Sequence, residues 1–370
     1  MSEEKQTIEV SEDKHKALDA FLNKQVKKAD KKGYQMVVGR ADKLPEEFNS
    51  ITLQPLGYPL FDAWSAPENG KGGLPIGGTI TFQGAGSVGK TSTALMLAAS
   101  FQKKGKTVLY VDFERTFDEK WAQKLGVDTT KLHVASPETL ERGLDTIEQT
   151  AKEGLLDAVI FDSLDSAIPE GSLHKKGSGD KHGASKDIDE DTIALKPRKL
   201  SQWFPRVNFY FRKYNTLLVF IAQQRIQLTA AGGYPGMAGG NALAHANLLN
   251  LKMYRNNSKD DLIINGKSIA YKMRIKVDKS KCPGLRKDDE METYFFHEGG
   301  FNAAFEAVAL SLEGQLENSP LSKTSIQSSL YVDPAGIEHK IAGAKPATVY
   351  TKLIEEGLID SFLQTVGYSQ

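Results

Sequence analysis

The stretch Gly84-Ala85-Gly86-Ser87-Val88-Gly89-Lys90-Thr91 has the spacing of a phosphate-binding loop: Gly, four residues of any type, Gly, Lys, then Ser or Thr. Glycines let consecutive backbone N–H groups curl around phosphates, the lysine reaches the outer phosphates, and the threonine hydroxyl is a ligand for Mg²⁺. We therefore expect this loop, continued to Ser92, to bind a nucleoside triphosphate together with Mg²⁺.

The residues on either side of the loop support this interpretation. Gly78–Gln83 is rich in β-forming residues, and Thr91–Lys103 has apolar residues at helical spacing. A strand, a loop and a helix in this order direct the N-terminus of the helix at a bound anion. An incidental glycine-rich turn is the alternative.

Composition predicts a globular, cytoplasmic protein without a membrane partner. The 370 residues are 40% hydrophobic and 25% charged, and no run approaches the roughly 18 apolar residues that span a bilayer. The first residues lack the apolar stretch of a secretory signal, and Cys282 has no second cysteine to pair with. Basic and acidic residues balance at 47 each, so binding to nucleic acid requires a local basic patch.

The sequence pattern divides the chain into residues 1–50, 51–299 and 300–370. The first part is predicted to contain a basic amphipathic helix over Asp13–Lys32 and a short strand over Tyr34–Val38, which bury little surface alone and favour packing on a neighbouring subunit. From residue 51, strands alternate with helices, which is typical of an α/β fold with a mainly parallel twisted sheet. The last part is predicted to be a small α/β domain.

Two polar, glycine-rich segments follow core strands, at residues 171–198 and 225–240. Ligands of parallel α/β sheets bind where such loops leave the carboxyl ends of the strands. The alternative for the first segment is a solvated loop.

Three polar side chains end predicted core strands downstream of the phosphate loop. Asp162 stands where a carboxylate holds Mg²⁺, and Glu114 is the candidate for the carboxylate that polarises the attacking water. The neutral amide of Gln223 is suited to hydrogen-bond a γ-phosphate. The alternatives are a capping aspartate, a surface glutamate and an ordinary strand-end glutamine.

Together these motifs resemble those of bacterial RecA-type homologous recombinases. The runs that carry the resemblance, in a consistent order between Asp13 and Asn302, are Gly73–Gly78, the phosphate loop, Tyr110–Glu114, Lys124–Asp128, Asp162–Ser163, Phe220–Arg225 and Gly239–Leu243. An ordered set is more specific than any single motif. The resemblance implies a RecA-like P-loop ATPase core, an N-terminal helix–strand oligomerisation arm and a C-terminal domain that captures duplex DNA.

The resemblance also implies roles at the nucleotide. Lys90 and Thr91 would bind phosphate and Mg²⁺, Glu114 would be the catalytic base, and Gln223 would sense the γ-phosphate. These roles extend what the residues alone indicate.

Two further pairs of residues take roles from the resemblance. Asp118 and Trp121 would lie at the nucleotide, with Trp121 stacked on the adenine. Lys279 and Lys281 match the pair that reaches a neighbour's ATP across the filament interface, where two cations stabilise charge on the transferring phosphoryl group. Without the resemblance, these lysines would be interpreted as a basic strand end on a solvated face.

The two glycine-rich segments match the DNA-binding loops of the family. The implied DNA-binding residues are Arg198, Lys199, Ser201, Arg206, Arg225, Gly239, Gly240 and Asn241. Contacts to phosphate carry no sequence information, which fits a groove for single-stranded DNA.

Some positions depart from the family pattern. The first segment is longer than usual, Pro205 stands where the family has an arginine, and Ala244 and His245 replace a lysine and a phenylalanine. These departures favour a diverged member encoded by a phage or a plasmid.

The sequence therefore predicts a DNA-dependent ATPase that uses ATP and Mg²⁺, forms a helical homo-polymer on single-stranded DNA and exchanges that strand with a homologous double-stranded DNA in recombinational repair. One alternative is another ATPase on the same core, such as a ring helicase or a regulatory ATPase. A second alternative is a nucleotide-gated DNA-binding filament protein without turnover. Lys90, Glu114 and Asp162 favour turnover.

Overall fold

The structure, a computed structural model, describes residues 12–68, 70–172, 195–229, 232–237, 240–256, 258–264, 266–316 and 318–366. The chain forms two compact units, residues 1–50 and residues 51–370. Among the described residues, no helix combines the length and the apolar character needed to cross a bilayer.

The first unit contains helix α1 (Glu12–Asp30) and the short helix α2 (Glu46–Asn49). The apolar side chains of Leu18 and Phe21 on α1 are 53% and 57% exposed. Residues 34–40, which include the strand predicted over Tyr34–Val38, have neither helical nor strand hydrogen bonding within this chain. A strand requires a hydrogen-bonded neighbour, and the described residues 12–50 provide none.

The second unit contains an α/β core followed by C-terminal elements. Its helices are α3 (Pro59–Trp64), α4 (Lys90–Lys103), α5 (Glu119–Lys124), α6 (Leu140–Lys152), α7 (Leu195–Tyr214), α8 (Gly240–Ala246), α9 (Ala303–Leu312), α10 (Pro346–Glu355) and α11 (Ile359–Val366). Its strands are β1 (Leu53–Gln54), β2 (Leu74–Pro75), β3 (Gly78–Gly84), β4 (Val108–Asp112), β5 (Leu132–Ala135), β6 (Ala158–Asp162), β7 (Leu217–Thr229), β8 (Gly232–Met237), β9 (Asn247–Arg255), β10 (Leu262–Ile264), β11 (Lys267–Ser280), β12 (Glu290–Phe296), β13 (Gly300–Phe301), β14 (Leu321–Lys323), β15 (Ser328–Val332) and β16 (Glu338–Ala342).

The central sheet confirms the predicted α/β fold. Its strand order is β13-β12-β11-β9-β3-β7-β6-β4-β5, with β10 paired to β11 and β8 paired to β7. The strands from β9 to β5 are parallel, whereas β11, β12 and β13 extend the sheet in antiparallel fashion.

Both faces of the central sheet are covered. Every residue of β3, β4 and β6 is buried, as expected for parallel strands between two layers of helices. One face packs against α3 and α4, and the other packs against α6 and α7. On the second face, the ring of Phe161 lies 4.7 Å from that of Phe113 and 4.8 Å from that of Phe220.

The second glycine-rich segment is more regular than predicted. Strand β7 continues beyond its buried part to Thr229 and pairs with β8, so that Gln224 lies opposite Met237 and Thr229 opposite Gly232. The backbone N–H and C=O groups of β7 beyond the central sheet are thereby hydrogen-bonded to β8. Residues 230, 231, 238 and 239 lie outside the described part, as do residues 173–194 of the first segment.

The C-terminal elements form a small sheet, β14-β15-β16, with helices α9, α10 and α11. Phe305, Tyr331 and Phe362 belong to one hydrophobic cluster there. The same cluster includes Leu262 of β10 and Phe296 of β12, so the C-terminal elements share apolar packing with the edge of the central sheet.

A buried carboxyl group connects α9 to the core. Glu306 is fully buried, and its Oε2 accepts a 3.0 Å hydrogen bond from the backbone N–H of Leu60 in the first turn of α3. Burial raises the pKa of Glu306 to about 8, and the negative charge of Asp62 contributes in the same direction. The carboxyl group is therefore protonated in the folded chain at neutral pH.

This protonation predicts a pH-dependent stability. Because Glu306 has a raised pKa in the folded state, its stabilising contribution is full below pH 4.5 and is lost as the pH rises towards about 8. The free energy of unfolding should fall by up to about 1.4 kcal/mol per pH unit in this window. In Glu306→Gln this component should disappear, so urea unfolding at pH 5 and pH 8 should show the variant gaining stability over the parent chain as the pH rises.

The matched control is Glu313→Gln, at the exposed end of the same helix. It should keep the pH dependence of the parent chain. An unchanged slope in Glu306→Gln would contradict the assignment.

Candidate nucleotide site

The phosphate loop lies between β3 and α4, at the carboxyl edge of the parallel strands. Ala85, Gly86 and Ser87 are exposed, whereas Val88 and Lys90 are buried. The loop thus presents its backbone to solvent and anchors itself through two side chains, and helix α4 begins directly behind it. This is the geometry in which N–H groups at a helix start bind an anion.

Gly89 has to be glycine for two physical reasons. Its φ of +91° lies in the left-handed region, which side chains disfavour. A Cβ at this position would lie 2.8 Å from the Tyr271 hydroxyl, 2.9 Å from Met273 Cε and 3.3 Å from a ring carbon of Phe295. The back of the loop therefore rests directly on strands β11 and β12.

Lys90 is folded into its own loop. Its Nζ donates hydrogen bonds of 3.1 Å to the Gly84 carbonyl and 2.6 Å to the Ala85 carbonyl. Burial lowers the pKa of Lys90, while the charges of Asp162 and Glu114 oppose this shift. Two neutral carbonyls are weaker partners than a phosphate oxygen, because hydrogen bonds between charged groups are stronger.

Asp162 ends β6 and meets two hydroxyl groups. Its Oδ2 accepts 2.8 Å from Thr91 Oγ1 and 2.6 Å from the Tyr110 hydroxyl. Its Oδ1 is buried and has no hydrogen-bond partner among the described residues. Burial raises the pKa of Asp162 to about 6, against the lowering effect of the two hydroxyls. An orphaned carboxylate oxygen beside the loop threonine fits a divalent cation.

Glu114 lies beside Asp162. The Asp162 carbonyl accepts the backbone N–H groups of Phe113 at 2.6 Å and Glu114 at 3.3 Å, which fixes the turn after β4 against the end of β6. The Glu114 Oε1 accepts a 2.5 Å hydrogen bond from Ser163 Oγ. Asp112 shapes the same turn by accepting the N–H of Arg115 at 2.7 Å.

Gln223 lies one strand further along the same edge. Gly84 of β3 is paired with Gln223 of β7, so the glutamine lies beside the first residue of the phosphate loop. Its backbone N–H donates 2.6 Å to Asp165 Oδ2, and its side chain is exposed. The hairpin of β7 and β8 begins with the next residue.

Trp121 and Asp118 lie near the first turn of α4. The Trp121 Nε1 donates 3.0 Å to Ser92 Oγ, which places the indole ring beside the phosphate loop. Asp118 is the N-cap of α5 and accepts the backbone N–H of Trp121 at 3.0 Å. Asp118 thus orients the helix that carries the tryptophan.

Lys279 and Lys281 lie at the end of β11 and bind the C-terminal end of α8. Lys279 Nζ donates to the Ala244 carbonyl, and Lys281 Nζ donates 2.7 Å to the His245 carbonyl. Burial lowers the pKa of Lys279, and the positive charge of Lys281 adds to this effect. Cations at the last carbonyls of a helix are electrostatically favourable.

The candidate DNA-binding residues occupy two places. Arg198, Lys199 and Ser201 lie in the first turns of α7, where Lys199 pairs with Glu141 at 3.0 Å.

Arg206 lies further along α7, and Gly240 begins α8. The Arg206 guanidinium is 2.9 Å from the buried carboxylate of Glu148. Gly239 lies outside the described residues, and the structure describes only the backbone of Arg225 and Asn241. DNA binding by all of these residues stays a prediction.

Sequence reasoning missed two side chains of this site, Tyr110 and Ser163. Both residues belong to runs that carry the family resemblance, but a tyrosine within an apolar strand is most simply interpreted as core, and nothing in the pattern assigned a role to the serine. Among the described residues, no three or more His, Cys, Asp or Glu side chains cluster as a metal site.

A phosphate loop at the carboxyl edge of a parallel sheet, with carboxylates on two neighbouring strands, is the arrangement of P-loop nucleotide-binding proteins. The family model of the RecA N-terminal domain matches residues 16–299. The chain is 30% identical over 287 residues to Protein RecA of Thermus aquaticus, covering 77% of this chain and 78% of the relative. It is 31% identical over 288 residues to Protein RecA of Campylobacter lari, covering 77% of each.

Among solved structures, the crystal structure of the RadB recombinase aligns with a TM-score of 0.45 at 16% identity, covering 62% of this chain and 91% of that one. The match to the family model and the two relatives establish the family. The chain belongs to the RecA family of recombinases. At the level of the family, this supports a recombination function and ATP hydrolysis.

The contacts of Gly89 generate a prediction for the loop. In Gly89→Ala the free energy of unfolding should fall by at least about 1 kcal/mol, because a left-handed conformation disfavours any side chain and the new Cβ meets β11 and β12. In Gly86→Ala, where no atom lies within 4 Å of an added Cβ, the change should stay within about 0.5 kcal/mol. Urea unfolding without nucleotide measures both, and equal values would contradict the close contact.

Proposed function

We propose that this chain is a DNA-dependent ATPase that polymerises on single-stranded DNA and exchanges that strand with a homologous duplex. The observation that carries the proposal is the meeting of Thr91, Asp162 and Glu114 at one edge of the sheet, in a chain of the RecA family. A hydroxyl, a buried carboxylate with an unused oxygen and a second carboxylate are the groups that ATP hydrolysis requires.

ATP binding begins at the loop. Lys90 leaves the carbonyls of Gly84 and Ala85 for phosphate oxygens, because charged acceptors are the better partners. Thr91 and Asp162 are the residues that would hold Mg²⁺, which neutralises charge on the phosphates. The Trp121 ring, fixed through its hydrogen bond to Ser92, stacks on the adenine.

Glu114 acts as the general base. Its carboxylate takes the proton of the attacking water, and the hydrogen bond from Ser163 Oγ to its Oε1 limits its rotation. Gln223 binds the γ-phosphate through its exposed amide, and the β7–β8 hairpin starts at the following residue. Loss of the γ-phosphate is therefore transmitted to the second DNA-binding segment.

Assembly completes the site. Lys279 and Lys281 act on the nucleotide of a neighbouring subunit, and in doing so they leave the last carbonyls of α8. Helix α8 directly follows the second segment, so this exchange couples the subunit interface to DNA binding. The candidate residues on α7 and at the start of α8 bind DNA phosphates. Residues 1–50 dock on a neighbouring subunit, and residues 300–370 capture duplex DNA. The protein acts in the cytoplasm.

Electron microscopy tests the function directly. With single-stranded DNA and a non-hydrolysable ATP analogue, we expect helical fibres that are absent with ADP, because the γ-phosphate controls the DNA grip. ATP consumption should rise when single-stranded DNA is added. Closed rings would instead support a ring ATPase, and fibres without any turnover would support a nucleotide-gated binding protein.

Mixing two variants of slow turnover tests whether Lys279 and Lys281 act on the nucleotide of a neighbouring subunit. Glu114→Gln should keep ATP binding but slow turnover about 100-fold, the scale expected when a general base is removed. The double variant Lys279→Ala/Lys281→Ala should also be slow. A mixture should regain activity, because subunits of the first kind supply the lysines and those of the second supply the base.

The matched control is Lys287→Ala/Lys323→Ala, which removes two exposed lysines that lie outside α8 and β11 and should leave turnover unchanged. A mixture that is no faster than its components would contradict action across the interface.

A further inference from the structure

Tyr110 is a buried polar residue beside the candidate nucleotide site. It lies in the middle of β4 and is 1% exposed, and its ring packs 5.3 Å from that of Phe117. Its hydroxyl donates a 2.6 Å hydrogen bond to Asp162 Oδ2 on the neighbouring strand β6. The Tyr110 hydroxyl therefore contributes a hydrogen bond to a carboxylate of the candidate nucleotide site, in addition to the packing of its ring.

The two oxygens of Asp162 have different surroundings. Oδ2 accepts hydrogen bonds from both Tyr110 and Thr91, whereas the buried Oδ1 has no partner among the described residues. Two donors on one oxygen prevent the carboxylate from turning. The lone pairs of Oδ1 are consequently held in a fixed direction, and a buried acceptor without a donor is costly unless a ligand completes it.

The two hydroxyl groups that donate to Asp162 Oδ2, those of Thr91 and Tyr110, differ in their other expected contacts. The Thr91 hydroxyl belongs to the phosphate loop and is the group expected to ligate the cation that accompanies the nucleotide. The Tyr110 hydroxyl lies in a central strand and is committed to Asp162 alone by the contacts of the described residues. It therefore fixes the carboxylate independently of the state of the loop.

We propose that Tyr110 is a positioning residue for the divalent-cation site: its hydroxyl anchors Asp162 Oδ2 and so directs Oδ1 at the cation that accompanies a bound nucleotide. This proposal rests on the proposed function only in that the site takes a nucleotide with a divalent cation. Hydrogen bonds from such outer groups to a metal-binding carboxylate typically change metal affinity 10- to 100-fold when removed.

Tyr110→Phe tests the proposal, because it removes the hydroxyl and keeps the ring. The measurement is the binding of a fluorescent ADP analogue as Mg²⁺ is titrated, and separately in EDTA. We expect the Mg²⁺ concentration for half-maximal enhancement of binding to rise about 10-fold, with the affinity in EDTA unchanged.

The matched control is Tyr331→Phe. Tyr331, in strand β15 of the C-terminal sheet, is also fully buried, and its hydroxyl donates 2.8 Å to Ser361 Oγ on helix α11. The control variant should show the Mg²⁺ dependence of the parent chain. An equal shift in both variants would overturn the proposal, because loss of any buried hydroxyl would then produce the effect.

A double-mutant cycle keeps the proposal falsifiable if Tyr110→Phe also lowers stability. If Tyr110 acts through Asp162, adding Tyr110→Phe to Asp162→Asn should shift the Mg²⁺ dependence no further. Additive effects, an unchanged Mg²⁺ dependence in Tyr110→Phe, or equal weakening with Mg²⁺ and in EDTA would each overturn it. If the parent chain itself binds no ADP analogue, the proposed function fails instead.

Discussion

The in-register pairing of parallel strands is the constraint on which the rest of this molecule depends. Gly84 of β3 pairs with Gln223 of β7, and Asp112 of β4 pairs with Asp162 of β6. These pairs end at one edge of the sheet, so residues far apart in sequence arrive together there. The apolar interiors of the strands fix the register, and the register assembles the site.

The sequence was sufficient to predict the features that depend only on the order of strands, loops and helices. The phosphate loop, the buried strands around it and the positions of Asp162, Glu114 and Gln223 all follow from apolar runs that end in polar residues, because parallel strands place their carboxyl ends together.

Contacts between distant side chains were beyond sequence reasoning. That Lys90 binds its own loop carbonyls and that Tyr110 reaches Asp162 depends on ångström-scale geometry that no residue pattern encodes. The segment Tyr34–Val38 has no partner strand among the described residues of this chain, and local β-propensity cannot supply one. The β7–β8 hairpin was missed because the glycines of this segment suggested an irregular loop, whereas its two halves pair as antiparallel strands.

Lys279 and Lys281 already bind the last turn of α8 within a single subunit. A polymer that recruits both ammonium groups to its seams must first break these internal bonds, which leaves helix carbonyls exposed to water. If assembly proceeds as proposed, the net free energy of joining two subunits is smaller than the contacts between them alone would give, because these internal bonds are lost.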